Sequence, residues 1–377
     1  MEDSNGDKVF GGTGGRALVF LKLFEATKNS TYLKIAQDYV ETMERGLTKQ
    51  KIQDDLTGFV GFLWSHVGML CVSALAADFR GDNSTVQDRV DSVRELFNRD
   101  TIPGKYDDFD SGRAGLIYAA RFLKSNVRPR NVDKIDPADV AKVVSAIIDR
   151  GYETGIVKNG NTFLQWHGPN DDGLWLGQSH GSAGILQQVI LGAPQYLAQN
   201  QTAAVLVERT FDEIVDSQFV SGNFPSEYYD TTQDVLVQWD HGAPGISAAL
   251  IEAYAFFNKS VYLESAQRAL DCTWRRGLSS KGLMNCHGIS GNTWMFLSAA
   301  KRTSNLTYVY RAMAFQDIVV NSDFLSDPEF MRQPQPEPDT PWHFWVGSYE
   351  SSIELWTDFL YKDRLLDASE TGFMAGL

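Results

Sequence analysis

Along most of the chain, apolar positions recur at the three- and four-residue spacing that gathers them on one side of an α-helix. Ile246, Leu250, Ala253 and Phe257 make one such stripe, and Ile185, Val189 and Ile190 begin another. A second helix often follows. Tyr262, Leu263, Ala266, Ala269, Leu270 and Trp274 come after Asn258-Lys259-Ser260, which reads as a turn and N-cap region. The alternation of a half-buried strand is scarce. Two stretches read as extended or loop-like, Gly151 to Asp172 and Asp327 to Pro341. The second holds Pro334, Pro336, Pro338 and Pro341, which exclude regular structure. The pattern predicts an all-α protein built from helix pairs.

A small-residue turn precedes helix after helix. Its copies are Gly11-Gly12-Thr13-Gly14-Gly15, Ser65-His66-Val67-Gly68, Ser111-Gly112-Arg113-Ala114-Gly115, His180-Gly181-Ser182-Ala183-Gly184, His241-Gly242-Ala243-Pro244-Gly245 and Cys286-His287-Gly288-Ile289-Ser290-Gly291. A seventh, Val346-Gly347-Ser348-Tyr349-Glu350, keeps the position but not the second glycine. Spacings of roughly 45 to 70 residues fit helix-pair repeats with loop insertions. Glycines three apart share a face in the first helical turn, where the missing Cβ admits another backbone or a ligand. About seven pairs are expected, in an open solenoid or a closed ring. A repeat also explains how 377 residues avoid splitting into separate cores.

Composition narrows the function. The chain is 43% hydrophobic and 22% charged, ordinary for a globular protein, and its 12% aromatic content suits a large interior or a lined cavity. A formal net charge of −14 argues against nucleic acid or an anionic membrane as the main partner. The 3 cysteines, Cys71, Cys272 and Cys286, suit a reducing compartment better than a disulfide framework. The acidic start Met1-Glu2-Asp3 is no secretory signal, and no apolar run approaches the roughly 20 residues of a membrane span. A cytoplasmic protein is expected. P-loop, dinucleotide-binding and His-Glu-x-x-His motifs are absent.

Of 6 histidines, His180, His241 and His287 each precede the glycines of successive repeats. If equivalent helices radiate about an axis, their N-termini converge, and these histidines converge with them. Cys286 stands beside His287 and Asp240 beside His241. The set points to a metal or acid–base cluster rather than to isolated structural histidines. Cys71 and Cys272 fall within apolar helical patterns and read as core.

These motifs carry a resemblance. Trp239-Asp240-His241-Gly242-Ala243-Pro244-Gly245 resembles the Trp-Cys-His-Gly-Ala-Pro-Gly of lanthionine synthetase C and its eukaryotic LanC-like relatives. Asn285-Cys286-His287-Gly288 resembles their second metal motif, and Ser179-His180-Gly181-Ser182-Ala183-Gly184 their His-Gly-x-x-Gly. The likeness runs from the first glycine cluster to about Leu360. It implies an (α/α) toroid, a double ring of about seven helix pairs. Residues 1–377 would then form a single domain, with an N-terminal segment shorter than in relatives.

The resemblance also implies zinc, held by Cys286, His287 and Asp240, the last standing where the family has cysteine. Carboxylate is a legitimate zinc ligand, at about 2.0–2.2 Å against about 2.3 Å for sulfur. It leaves the formal charge unchanged but loosens selectivity for zinc. An open fourth position would bind a thiol, lower its pKa and deliver it to the β-carbon of dehydroalanine or dehydrobutyrine. His180 is then the candidate acid/base. Asp108 aligns with a family acidic residue that orients or charge-balances a histidine, and reads equally as a helix N-cap. His241 matches the eukaryotic branch and joins the catalytic candidates, with glutathione or a thiol peptide as thiol donor and a dehydroamino-acid protein or peptide as acceptor. Lys281 stands where relatives place a glutathione-binding lysine. Asp240 and the worn seventh motif also suit a binding or signalling module with a weakened or absent zinc site. The Asp-Cys-His set resembles that of the toroidal protein prenyltransferases too, though their motif spacing is not found here.

Overall fold

The computed structural model describes residues 6–45, 47, 58–99, 102–128, 135–168, 173–230, 232–279 and 281–321. Six helices follow the glycine turns: α1 (Thr13–Thr27), α3 (His66–Arg80), α5 (Arg113–Asn126), α7 (Ser182–Gly192), α10 (Ala243–Phe257) and α12 (Ile289–Thr303). Each is followed by a partner: α2 (Ser30–Glu44), α4 (Asn83–Phe97), α6 (Pro137–Glu153), α9 (Gln201–Asp216), α11 (Ser260–Arg276) and α13 (Leu306–Asn321). A short α8 (Pro194–Gln199) lies between α7 and α9. The expected seventh motif, Val346–Glu350, and the proline-rich stretch lie outside the described residues.

The two sets differ in burial. Every residue from Val67 to Asp78 in α3, and from Ala243 to Ala253 in α10, is buried. A helix apolar all round belongs in an interior. In α4 only Val86, Val90, Val93, Leu96 and Phe97 are buried, a single stripe with solvent on the other side. The first set packs in chain order, α1 on α3, α3 on α5, α5 on α7, α7 on α10 and α10 on α12. This is an inner ring of helices backed by an outer one, the (α/α) toroid.

Pairs join by very short turns. Lys28, Gly81, Asn258 and Ser304 take left-handed conformations at the ends of α1, α3, α10 and α12. The next residue caps the outer helix in three cases: Asn29 accepts from Thr31 N–H, Asp82 from Thr85 N–H and Asn305 from Thr307 N–H, at 3.0–3.1 Å. Lys259 takes this place before α11 with no side-chain cap, so the expected N-cap region supplies a turn through Asn258 instead.

The inner helices start differently. Gly112, Gly181, Gly242 and Gly288 cap without a side-chain bond. In three of them a first-turn N–H group instead donates to the carbonyl seven residues back: Ala114 to Asp107 at 3.2 Å, Ala183 to Leu176 at 3.0 Å and Ile289 to Gly282 at 2.9 Å, whereas Ala243 N–H donates to Asn223 Oδ1 at 2.8 Å. The preceding loop therefore doubles back over the helix end and satisfies its orphan donors. A Cβ on Gly184 would sit 1.8 Å from the Gln178 carbonyl oxygen, and one on Gly291 1.8 Å from that of Asn285. The second glycine of the motif is the space that this fold-back occupies.

One expectation needs correcting. Within Gly151 to Asp172, Ile156–Lys158 (β1) and Asn161–Phe163 (β2) form an antiparallel hairpin rather than loop. Asn159 and Gly160, at φ 53° and 76°, make its turn, and the Asn-Gly pair was the available signal. Among the described residues, no helix is long and apolar enough to cross a membrane.

Candidate functional site

The fold-back loops are fastened to one another. Phe10 N–H donates to Leu63 O at 3.0 Å, Trp64 to Asp110 at 3.2 Å, Phe109 to Ser179 at 3.0 Å, Gln178 to Asp240 at 3.1 Å and Asp240 to Cys286 at 2.9 Å. This chain of bonds links each loop to the next and brings the candidate residues of four repeats together. Asp240 is held by its backbone on both sides, and Gly177 packs so closely on its carbonyl that a Cβ there would lie 1.6 Å from the oxygen. Gly242, at φ 104°, lets the chain turn immediately after His241.

Asp240, His241 and His287 offer donor atoms that all lie within 4.8 Å of one another. Asp240 Oδ2 is 3.3 Å from His241 Nε2 and 3.1 Å from His287 Nε2. The two imidazoles stack, with centroids 5.7 Å apart and planes 16° off parallel, and Trp175 packs on His241 at 5.2 Å. Cys286 lies on the other edge of His287, its Sγ 3.0 Å from Nδ1. Of the three ligands expected from sequence, Asp240 and His287 thus meet directly. Cys286 meets the far ring nitrogen of His287, and His241 joins the group.

Electrostatics suit a cation. Burial opposes the charge on Asp240, yet His241, His287 and His180 outweigh it and hold the carboxyl well below its usual range. Burial holds His241 below its ordinary value against the pull of Asp240, and the charges of His287, His180 and Lys281 add to the effect. An ionised carboxylate beside a neutral imidazole is the protonation state that metal ligation requires. Asp240 Oδ1 is buried with no hydrogen-bond partner, and the donors are of a type that zinc accepts. The residues fit a divalent metal.

His180 faces two carboxylates, with Nδ1 3.7 Å from Asp108 Oδ1 and Nε2 3.7 Å from Asp110 Oδ2. Burial disfavours its charge, but Asp108, Asp110 and Asp240 prevail and push its pKa up to about 10. Asp108 does two things at once. It accepts from Ser111 N–H and Ser111 Oγ, both at 2.8 Å, as a cap would, and it flanks His180. Asp110 was not singled out from the sequence. Burial raises it to about 6; His180 opposes the rise, and Asp240 and Asp108 add to it. Its signal lay in the run Asp107-Asp108-Phe109-Asp110, where alternate residues carry carboxylates. Lys281 stands at the edge, where Ser279 Oγ accepts from its backbone N–H and donates to His287 O at 2.8 Å.

Residues 3–331 match the family described as lanthionine synthetase C-like protein. The chain belongs to that family. A zebrafish relative named glutathione S-transferase LANCL1 is 27% identical over 343 residues, covering 89% of this chain and 78% of the relative. The Arabidopsis LanC-like protein GCL1 is 30% identical over 320 residues, covering 81% and 69%. Among solved structures, nisin cyclase superposes with a TM-score of 0.60 at 15% identity, covering 95% of this chain and 94% of the other, a likeness of fold.

Within this LanC-like chain, Asp240 engages more than one side chain. A carboxylate has two oxygens and attracts both neighbouring imidazoles, as the 3.1 and 3.3 Å contacts show. His241 faces the same oxygen as His287.

Proposed function

We propose that this chain is a metal-dependent enzyme that joins a thiol to a dehydroamino acid by forming a carbon–sulfur bond. The contact of Asp240 with His287, in the same ring of loops as His180, carries the reading. Asp240 and His287 would hold the metal, and the third donor would come from Cys286 or His241, which flank the His287 ring. Zinc bound there would supply Lewis acidity that lowers the pKa of a thiol. The thiol gives its proton to solvent and its sulfur bonds the β-carbon. The electron pair of the carbon–carbon double bond moves toward the α-carbon, which takes up a proton. His180 is the proton donor, kept charged by Asp108 and Asp110. Because the zebrafish relative is named a glutathione S-transferase, glutathione is the proposed thiol, with Lys281 as its proposed binding residue and a peptide cysteine as the alternative. The acceptor is a protein or peptide containing dehydroalanine or dehydrobutyrine.

We place the reaction in the cytoplasm and read residues 1–377 as one toroid domain. Cys71, Cys272 and Cys286 form no disulfide, as a reducing compartment favours. Mass spectrometry of a dehydroalanine peptide incubated with glutathione and the zinc-loaded protein tests the reaction. A glutathione adduct is expected, with formation slowed about 10²–10⁴-fold in His180→Gln. No adduct above the protein-free rate contradicts it. The rival, a metal-free binding or signalling module, takes its support from Asp240 Oδ2, which two imidazole N–H groups can satisfy without a metal.

A further inference from the structure

We infer that the third metal ligand in this chain is His241 rather than Cys286, giving a centre of one carboxylate and two imidazoles, Asp240, His241 and His287. The inference rests on the metal-dependent reading above and changes only its third donor. With metal–ligand bonds of about 2.0–2.1 Å, the edge of a tetrahedral centre between two ligand atoms is about 3.3 Å. Asp240 Oδ2 is 3.3 Å from His241 Nε2 and 3.1 Å from His287 Nε2, so two edges of such a polyhedron are already in place. Both Nε2 atoms converge on the same Asp240 oxygen, from rings that lie 16° off parallel. Asp240 Oδ1, buried and unpartnered, leaves this carboxylate further capacity to bind a cation.

Cys286 does not share that centre. His287 presents its two nitrogens to different partners, Nε2 to Asp240 and Nδ1 to Cys286. A metal about 2.0 Å out from Nδ1 lies about 4 Å from Nε2, on the far side of the ring from the Asp240 oxygen. The separation of 3.0 Å between Sγ and Nδ1 is also shorter than the roughly 3.5 Å edge that zinc–sulfur and zinc–nitrogen bonds would set. It is the distance of a hydrogen bond. Cys286 therefore fixes the orientation of His287 from behind, the role that outer partners of metal-bound histidines commonly fill. Two imidazoles and a carboxylate are harder than a thiolate set, so the centre accepts Co²⁺ and other first-row divalent ions as well as zinc.

Optical titration of the metal-stripped, full-length protein with Co²⁺ tests this without any activity assay. The expected result is saturation at about one equivalent, with ligand-field bands in the visible and no thiolate-to-cobalt charge-transfer band in the near ultraviolet. His241→Ala should lose measurable binding. Cys286→Ala should keep the same spectrum and weaken binding no more than about 10-fold. The wild-type spectrum answers the question even if a variant fails to fold. A charge-transfer band that Cys286→Ala abolishes would overturn the His241 assignment and leave metal-dependent thiol addition standing. No Co²⁺ binding by folded wild-type protein would overturn both.

Discussion

Asp240 is 4% exposed, and it stays ionised there because His241, His287 and His180 surround it. The same field reaches His180, whose folded-state pKa of about 10 lies above its ordinary 6.5. A group raised in this way contributes stability that is fully present below the unfolded value and lost as pH rises through the folded one. Metal-free protein should therefore lose stability to urea between pH 6.5 and about 10, and His180→Gln should flatten that decline. An equal decline in both proteins would contradict the charged state assigned to His180. At this scale the sequence was legible only in part. The repeat placed His180, His241 and Asp240 together, but ring orientation is a matter of side-chain packing that no spacing encodes. Which edge of His287 faces Asp240, and the second carboxylate on His180, appear only when the loops are folded.

The helices themselves were legible, because each inner one announces itself with a glycine turn and each outer one with a single apolar stripe. What the motif did not reveal was its mechanical reason, the fold-back of a loop over its own helix end. Gly184 gives the direct test. A Cβ there would sit 1.8 Å from the Gln178 carbonyl oxygen, a rigid backbone atom, so Gly184→Ala must displace the loop that carries Ser179 and His180. The expected cost is about 3 kcal/mol by chemical denaturation, at the upper end of overpacking penalties. A loss below about 0.5 kcal/mol would show that the loop yields freely. The missed hairpin at Ile156–Phe163 has the opposite lesson, since a six-position, two-strand element is too short for periodicity to declare and only its Asn-Gly turn marks it.

In the whole molecule, stability and site are built from the same parts, because the loops that close over the helix ends also clasp one another. Arg113 and Asp107 illustrate it. Arg113 Nε donates to Asp107 Oδ1 at 2.6 Å, both side chains are almost fully buried, and the pair ties the start of α5 to the loop bearing Asp108 and Asp110. Asp107→Ala leaves a buried guanidinium without its nearest partner and should cost about 3–5 kcal/mol, read by urea denaturation. Arg150, at 3.5 Å from the same carboxylate, loses its contact too, so a near-neutral result would contradict the weight placed on Asp107. The ring architecture was legible from the repeat and the family motifs together, whereas the inter-loop bonds were not, being backbone contacts between residues far apart in the chain. The central claim is that these loops assemble a metal-dependent centre, and elemental analysis of the protein purified without added metal tests it most directly. The account predicts about one equivalent of zinc or a related divalent ion, lost in folded Asp240→Ala. A wild-type protein that is folded and holds no metal would contradict it.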